Sequence, residues 1–320
     1  MKKVRVGFVG AGGIANAHMD CISRMEGVEV VGICDVVREK AERAAGRFGC
    51  RAYTSYGELL EKEPMDALFV CVPPHAHGME IMAAKRGIAI MVEKPIARTL
   101  EMAREIERAI AESGVISSVA YHWRYMNSVK QAKEILSGRK IAMALGYWIG
   151  GLPGVPWWRV KDQGGGQVIE QTTHIFDLAR YMVGDVDEVY GVAFKGLMED
   201  VPGYNVEDAS TVTLKFKNGA IGNITSSCIV SQGYMVGLNL LTRDLVVEIT
   251  GGSLRVRYPG RTEEIRETAW AYYEEDKAFL EAVRTGDRSG IRSTYSDGLE
   301  TLRVTLAAEE SFVTGKPVKL

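Results

Sequence analysis

The sequence predicts an α/β protein with two domains: an N-terminal Rossmann-type, doubly wound parallel sheet and a C-terminal α+β domain with a mostly antiparallel sheet. Three observations lead to this prediction. A glycine-rich turn follows the first apolar strand pattern, strand and helix patterns alternate up to about residue 122, and strand patterns bordered by helices fill the second half. Such alternation is typical of parallel sheets, and segregated helices are typical of α+β domains. We therefore expect domains at 1–122 and 123–320.

The composition limits the class of partner. The 320 residues include 39 Lys and Arg against 41 Asp and Glu, with no basic run, so a small-molecule ligand is expected rather than nucleic acid. Five cysteines without a C-x-x-C spacing argue against a disulfide framework and a structural zinc site. No apolar stretch reaches the ~18 residues of a membrane span, and no signal-peptide pattern is present, so a cytoplasmic protein without a membrane partner is expected.

The glycine-rich turn reads GAGGIA and matches the dinucleotide-binding fingerprint G-x-G-x-x-A. Gly10 permits the tight turn, and Gly12 lets the backbone approach a pyrophosphate. Gly13 precedes a helix predicted at roughly Ile14 to Met25, whose N-terminus faces the phosphates, and Ala15 allows that helix to pack close to the sheet. The alternative is a glycine turn with only a packing role, but the strand before it and the helix after it favour a dinucleotide site.

Asp35 ends the second apolar strand, twenty residues after Ala15. Its carboxylate would accept hydrogen bonds from the adenine-ribose hydroxyls and repel a 2′-phosphate, which favours NAD over NADP. Arg38 lies close enough in sequence to weaken that discrimination. The alternative is that Asp35 serves as the N-cap of a helix predicted from Val36 to Phe48.

Two further loops follow predicted parallel strands, and right-handed crossovers bring the carboxyl ends of such strands to one edge, where ligands bind. The loop PPHAH contains Pro73 and His77, and the loop EKP contains Glu93 and Lys94. We expect these four residues to face the cofactor. His75 and His77 would also suit a metal ion, but no further Cys/His cluster lies nearby in sequence, so a cofactor-facing loop is favoured over a metal site.

The second half is predicted to contain strands joined by short turns, with a hairpin at Asn218-Gly219. The predicted strands lie at 141–149, 186–194, 209–216, 220–229, 234–241, 245–250 and 254–258. The predicted helices lie at 128–136, 167–183, 269–283 and 297–312.

The helix predicted at 167–183 carries three polar residues on one face. At ~100° per residue, Glu170, His174 and Asp177 fall within about 60° of arc, and apolar residues border them on both sides. This pattern indicates a polar strip facing a pocket. Glu170, four residues before His174, would fix the tautomer of that histidine and make its other nitrogen a better base. The alternative is a buried histidine held by carboxylates for structural reasons.

Three motifs occur together in this chain: GAGGIA from Gly10, EKP from Glu93, and GGG from Gly164 followed by His174 and Asp177. In order and spacing, over essentially the whole chain, they resemble the glucose–fructose oxidoreductase / inositol dehydrogenase (Gfo/Idh/MocA) family. The resemblance implies a Rossmann domain followed by an α/β domain with a large open sheet. It also implies a homodimer or homotetramer formed through that sheet, and a last helix, about 297–312, that packs back on the first domain.

The resemblance also implies residue roles. Lys94 would contact both nicotinamide and substrate, and His174 would be the acid/base. Glu170 stands where an aspartate is frequent in the family, and Pro74 stands where an asparagine is frequent. The Lys94-Pro95 bond is expected to be cis.

The resulting hypothesis is an NAD- or NADP-dependent oxidation of a secondary alcohol on a sugar, inositol or other polyol, at a site in the cleft between the domains. Glu170 would orient His174 during catalysis. Aromatic and arginine side chains would line the substrate pocket, although ordinary core or subunit contacts explain them equally well: Tyr121, Trp123, Arg124, Trp157, Trp158 and Arg159. The family resemblance leaves two alternatives, an NAD-dependent glycosidase that uses transient oxidation and a non-catalytic dinucleotide-binding sensor.

Overall fold

The computed structural model describes residues 3–320, which form two compact units. The first unit comprises the chain up to Tyr125 together with Trp270–Leu299, and the second comprises Met126–Ala269 and Glu300–Leu320. The first unit therefore runs slightly past residue 122 and includes a C-terminal stretch that the sequence patterns assign to the second domain. No helix within residues 3–320 is long and apolar enough to cross a membrane.

The chain contains fifteen strands and eleven α-helices in its described part. The strands are β1 (Val4–Val9), β2 (Val28–Cys34), β3 (Arg51–Tyr53), β4 (Ala67–Val70), β5 (Ala89–Val92), β6 (Ser117–Val119), β7 (Met143–Ile149), β8 (Val186–Phe194), β9 (Ala209–Phe216), β10 (Ile221–Ser227), β11 (Met235–Leu241), β12 (Val246–Thr250), β13 (Ser253–Tyr258), β14 (Arg261–Arg266) and β15 (Val318–Lys319). The helices are α1 (Gly13–Ile22), α2 (Arg38–Phe48), α3 (Tyr56–Lys62), α4 (Met79–Lys85), α5 (Leu100–Ser113), α6 (Asn127–Ile135), α7 (Lys161–Gly164), α8 (Gln167–Glu170), α9 (Thr173–Val183), α10 (Ala271–Thr285) and α11 (Tyr295–Thr314).

The first unit is built on a six-stranded sheet in the order β3-β2-β1-β4-β5-β6. All of its strand pairs are parallel. This is the doubly wound Rossmann arrangement, in which the strand order reverses between β1 and β4 and leaves a ligand crevice at their carboxyl ends. The predicted fold class of the N-terminal part is confirmed.

Helix α10 belongs to the first unit because its apolar face completes the core of that unit. Phe8 of β1 stacks on Phe69 of β4 at 4.9 Å between ring centroids, and Phe69 meets Phe279 of α10 edge-on at 5.6 Å. Phe279 and its neighbour Leu280 are both buried in this cluster. Burying one large apolar side chain contributes about 1.5–3 kcal/mol, so α10 adds several kcal/mol to the unit.

The second unit is built on a nine-stranded sheet in the order β14-β13-β12-β11-β7-β10-β9-β8-β15. Its pairs are antiparallel except for β7 and β10, which run parallel. The prediction of a mostly antiparallel C-terminal sheet is therefore confirmed. The hairpin at Asn218-Gly219 connects β9 to β10 as predicted, and Gly219 supplies the positive φ of +86° that the turn requires.

One face of this sheet is buried and the other is open to solvent. Inward residues such as Val212, Leu214 and Ile224 are fully buried, whereas large apolar side chains on the opposite face are exposed. The alternation follows the two-residue period of a strand, which sends successive side chains to opposite faces.

Candidate active site

The glycine-rich turn joins β1 to α1 at the carboxyl edge of the parallel sheet. Gly10 has φ +97°, and a Cβ placed there would lie 2.1 Å from the carbonyl oxygen of Cys71, so no other residue fits. A Cβ at Gly12 or Gly13 would meet no atom within 4 Å. Helix α1 has no side-chain N-cap and no acidic residue in its first turn. This open, positively polarised helix end has the shape and charge that a pyrophosphate needs.

Asp35 ties the end of β2 to the glycine-rich turn. Its Oδ2 accepts a hydrogen bond from the Ala11 amide at 2.8 Å, and its Oδ1 accepts one from the Val37 amide at 2.9 Å. Helix α2 begins at Arg38 with Val37 in the N-cap position, so Asp35 is not the N-cap of this helix. Arg38 is largely exposed and pairs with Glu42 at 3.6 Å.

The loop after β4 holds His77 by a short local network. The Nδ1 atom of His77 lies 2.5 Å from Oε1 of Glu80, whose Oε2 accepts the Gly78 amide at 2.7 Å. His77 and Glu80 are buried, whereas His75 is exposed and Pro73 is half-buried. Within residues 3–320, no group of three or more His, Cys, Asp or Glu side chains is arranged to hold a metal ion.

The loop after β5 places Lys94 next to a buried carboxylate. Glu93 is 4% exposed, and its Oε2 accepts the backbone N–H of Lys94 at 3.0 Å. Its Oε1 lies 3.0 Å from Nε2 of His18. The Lys94-Pro95 bond is cis, as the resemblance implies. Both carboxylate oxygens of Glu93, a predicted cofactor contact, are thus engaged within the protein.

His18 is a residue that the sequence patterns did not single out. It lies on α1, is fully buried, and its Nδ1 is 2.7 Å from Oδ1 of Asp276 on α10. Burial opposes the charge on this ring, but the carboxylates of Asp276 and Glu93 more than offset that effect and raise the pKa of His18 well above its usual value. No periodicity in the sequence joins α1 to α10, so no local pattern indicates this contact.

His122 stands close to the same charges. Its ring stacks on Tyr272 at 4.2 Å between centroids. Burial, together with the positive charges of Lys94 and His18, lowers the pKa of His122 to about 3. His122 is therefore neutral near physiological pH.

In the second unit, the helix predicted continuously over 167–183 is two helices, α8 and α9, and that prediction is wrong. The amide of Thr172 bonds to the carbonyl of Gln167, five residues earlier, at 2.8 Å. Such a bond widens the turn and interrupts the i→i−4 ladder. The angular spacing of an unbroken helix consequently does not relate Glu170 to His174.

His174 lies in the first turn of α9 and is 4% exposed. Its ring stacks on Trp148 of β7, with centroids 5.8 Å apart and an interplanar angle of 22°. Trp148 was not among the predicted site residues. Because β7 is a central strand of the sheet, this contact holds the imidazole plane against a rigid element.

Glu170 and Asp177 have partners on other elements of the second unit. Oε2 of Glu170 accepts a hydrogen bond from Nε1 of Trp158 at 2.8 Å. Oδ1 of Asp177 accepts one from Oγ1 of Thr301 at 2.9 Å, and Asp177 is fully buried. Both carboxylates therefore help to hold the segment that contains His174.

The predicted pocket residues of the first unit are largely buried. Arg124 donates to the carbonyl of Arg292 at 2.5 Å and forms an ion pair with Asp297. Tyr121 lies under the Arg124 guanidinium at 6.0 Å, and Trp123 is also buried. These contacts favour a structural role for the three residues.

The predicted pocket residues of the second unit differ in exposure. Trp158 is fully buried in a small apolar cluster with Val206 and Cys228, and the half-buried Trp157 packs against that cluster. Arg159 is half-buried. Trp157 and Arg159 therefore keep part of their surface accessible.

The chain matches two family descriptions that agree with this geometry. Residues 4–121 match the oxidoreductase family with an NAD-binding Rossmann fold, and residues 130–255 match the GFO/IDH/MocA C-terminal domain. The fold and the open helix end thus define an NAD-dependent oxidoreductase with a Rossmann domain. The chain belongs to the Gfo/Idh/MocA family.

Relatives cover nearly the whole chain. It is 28% identical to scyllo-inositol 2-dehydrogenase (NAD(+)) of Bacillus subtilis (strain 168), over 99% of this chain and 96% of the relative. It is 25% identical to myo-inositol 2-dehydrogenase of Thermotoga maritima, over 99% and 98%. A solved structure of levoglucosan dehydrogenase with NADH and L-sorbose has a TM-score of 0.89 at 20% identity, covering 100% of this chain and 99% of that one, and has the same fold.

Proposed function

We propose that this enzyme transfers a hydride reversibly between the nicotinamide of NAD and a secondary alcohol of an inositol, sugar or other polyol. The similarity to two inositol dehydrogenases supports this substrate class. The observation that carries the proposal is the anchoring of Lys94 by Glu93 at the carboxyl end of β5. Only β4 separates β5 from β1 and its glycine-rich turn, so Lys94 belongs to the same ligand edge as the pyrophosphate site.

Different residues of the first unit bind different parts of NAD. The α1 N-terminus at Gly12 and Gly13 faces the pyrophosphate, and Gly10 and Ile14 shape that turn. Asp35 receives the adenine ribose, since a carboxylate has about four acceptor sites and its two backbone bonds use only some of them. Its charge favours NAD over NADP, and the exposed Arg38 lies beside it. The nicotinamide end is lined by the loops that carry Pro73, His77, Glu93 and Lys94.

NAD, when bound, supplies the hydride acceptor. The ammonium of Lys94 stabilises the negative charge that develops on the substrate oxygen, as a preorganised cation does most effectively away from bulk water. His174 takes the hydroxyl proton and returns it in the reverse direction. Acid/base assistance of this kind contributes ~10²–10⁴ in rate.

We assign Glu170 a positioning role, because its bond to Trp158 fixes the chain just before His174. Trp157 and Arg159 are proposed as substrate contacts on the basis of their partial exposure. The burial of Tyr121, Trp123 and Arg124 favours a supporting role for these residues rather than direct substrate contact.

The five cysteines are all free thiols in the described chain, which agrees with a reducing compartment. We therefore propose the cytoplasm as the location of the enzyme.

This proposal can be tested with a panel of inositols, sugars and other polyols. The rate of cofactor reduction is measured for each compound with NAD and with NADP. We expect the absorbance of NADH to increase with at least one polyol. For that polyol, kcat/KM should be lower with NADP than with NAD. His174→Gln should lower kcat by about 10²–10⁴ with an unchanged Kd for NAD, because His174 lies outside the NAD-binding unit. Full turnover in this variant would show that His174 is not the catalytic base. Release of sugar from an aryl glycoside without net NADH would indicate a glycosidase, and NADH binding without any turnover would indicate a sensor.

A further inference from the structure

A buried chain of polar groups runs from α10 through α1 to the backbone of Lys94. Asp276 Oδ1 lies 2.7 Å from His18 Nδ1, His18 Nε2 lies 3.0 Å from Glu93 Oε1, and Glu93 Oε2 accepts the Lys94 amide at 3.0 Å. The side chain of His18 is fully buried, as is that of Asp276, and that of Glu93 is 5% exposed. The three side chains are therefore withdrawn from solvent.

The contacts favour an imidazolium at His18, although burial raises the pKa of Asp276 and so opposes the charge of that carboxylate. A neutral imidazole donates through one nitrogen only, whereas both ring nitrogens of His18 face carboxylate oxygens. Glu93 accepts from the Lys94 amide on its other oxygen, and an ionised carboxylate suits two donors. An imidazolium that donates to both Asp276 and Glu93 satisfies every one of these contacts.

Packing alone does not account for a charged group at this position. The His18 ring lies between Phe69, at 5.5 Å, and Tyr272, at 5.8 Å, so an apolar side chain would suit these neighbours. Replacing buried ion pairs by apolar groups is often neutral or stabilising, which means that such pairs are weak contributors to stability. What this pair supplies is a fixed direction for the Glu93 carboxylate.

We propose that His18 is a positioning residue for catalysis: as an imidazolium held by Asp276, it fixes the Glu93 carboxylate on the backbone N–H of Lys94 and so sets the location of the Lys94 ammonium. This inference rests on the proposed function in one respect, the catalytic role of Lys94. Glu93 then contributes to catalysis by holding the backbone N–H of Lys94, rather than by contacting the cofactor.

Three titratable groups near His18, namely Cys21, Cys71 and His122, keep one form near neutral pH. Burial and the nearby carboxylates raise the pKa of Cys21 on α1 to about 12 and that of Cys71 after β4 well above its usual value. The pKa of His122 is lowered to about 3 by burial and by the charges of Lys94 and His18. Two further cations act near this cluster, Lys94 on His122 and Arg24 on Cys21.

The first test reads the charge state of His18 by nitrogen-15 NMR of the histidine side chains. The chain has 5 histidines, and the signals missing in His18→Gln identify His18. We expect both ring nitrogens to remain protonated at about pH 8, where an ordinary histidine is neutral. A neutral ring at this pH would overturn the proposal.

The second test reads the position of Lys94 by hydrogen exchange and kinetics in His18→Gln. The peptide that contains the Lys94 amide should exchange faster, and kcat should fall by about tenfold to a hundredfold, since small misplacements of a catalytic group have effects of this size.

Leu59→Ala is the matched control, because Leu59 is fully buried in α3 of the same unit and takes no part in the hydrogen bonds that link Asp276, His18, Glu93 and Lys94. It should lower Tm and speed exchange in the α3 peptide, with neither the Lys94 peptide nor kcat changed. An unchanged Lys94 peptide in His18→Gln would overturn the proposal, as would an unchanged kcat. If the wild-type protein oxidises no polyol, the proposed function fails, whereas the ring-nitrogen spectrum and the exchange of the Lys94 amide still decide the positioning role.

Discussion

Gly10 and Gly12 are two glycines of one turn with opposite surroundings. A side chain at Gly10 would overlap the carbonyl of Cys71 and require a positive φ, whereas a side chain at Gly12 would enter open space. The first glycine is therefore required by the protein itself, and we propose that the second is required by the ligand.

We expect Gly10→Ala to lower the free energy of unfolding by at least about 1–3 kcal/mol, the cost of a strained backbone position. Gly12→Ala should leave that free energy within about 0.5 kcal/mol, as for an exposed substitution, yet raise the Kd for NADH at least about tenfold. Urea unfolding and NADH fluorescence titration measure the two quantities. Equal effects of both variants on stability would contradict this division.

The charge of Asp35 can be removed while one of its two hydrogen bonds is kept. In Asp35→Asn the amide oxygen can still accept from Ala11, whereas the NH2 group cannot accept from Val37, and the charge that we propose repels a 2′-phosphate is lost. We expect the ratio of kcat/KM with NAD to that with NADP to fall by about tenfold or more, equivalent to ~1.4 kcal/mol. An unchanged ratio would assign cofactor choice to other residues.

Sequence patterns identified the residues whose neighbours are close in the chain and missed those whose partners are distant. The glycine-rich turn and Lys94 are recognisable because each follows a strand. His18 and Asp276 are 258 residues apart, and a histidine on an otherwise apolar helix face gives no sign of its partners.

At the scale of single elements, the break between α8 and α9 shows the limit of periodicity. Apolar residues recur at helical spacing on both sides of Thr172, so the pattern predicts one helix. The interruption depends on the Thr172–Gln167 bond, which reflects backbone geometry rather than side-chain polarity. Strand β14 was missed for a related reason, since an exposed, charged edge strand has no buried face to produce a pattern.

The contact between Trp158 and Glu170 tests how the segment before His174 is held. Trp158→Phe keeps a buried aromatic ring of smaller size but removes the Nε1 donor, so the hydrogen bond to Oε2 of Glu170 is lost. We expect the free energy of unfolding to fall by about 1–3 kcal/mol, measured by urea denaturation. Glu170→Gln is the control, because its amide oxygen can accept the same bond. A Trp158→Phe variant as stable as the wild type would show that the bond is dispensable.

At the scale of the whole molecule, the open face of the nine-stranded sheet carries several large exposed apolar side chains. Tyr190, Val192 and Phe194 of β8, Leu145 of β7 and Ile221 of β10 are each at least 36% exposed. Strand register aligns Tyr190, through β9 and β10, with Leu145. Several large exposed apolar side chains on one sheet face, here interspersed with polar ones such as Thr213 and Asn223, are typical of a protein–protein interface. We propose that two or four copies associate through this face, in agreement with the family resemblance.

Val192→Lys should therefore shift the protein to a monomer, because a charge would be buried without a partner at the interface. We expect the dissociation constant to rise at least about a hundredfold, measured by light scattering after size exclusion. Val313→Lys is the control, since Val313 on α11 is more exposed than Val192 but lies outside this face. A monomeric wild-type protein, or an unchanged mass in Val192→Lys, would contradict the proposed assembly.

The sequence patterns predict the two sheets correctly, but they do not predict how the chain is divided between the two units. Alternating patterns gave the parallel sheet, and the run of strands gave the antiparallel one. The membership of α10 in the first unit depends on Phe279 meeting Phe69, a contact that no local pattern records. The predicted boundary near residue 122 describes where the patterns change, whereas the units follow packing.

The discontinuity of the first unit has a consequence for synthesis on the ribosome. The strands of the parallel sheet emerge early, but the helix that covers Phe69 and holds His18 lies beyond β14. The NAD-binding unit therefore cannot complete its core until nearly the whole of the other sheet has been translated. A nascent chain ending at Tyr125 would carry an uncovered apolar surface, and holding such a chain would be a task for a chaperone.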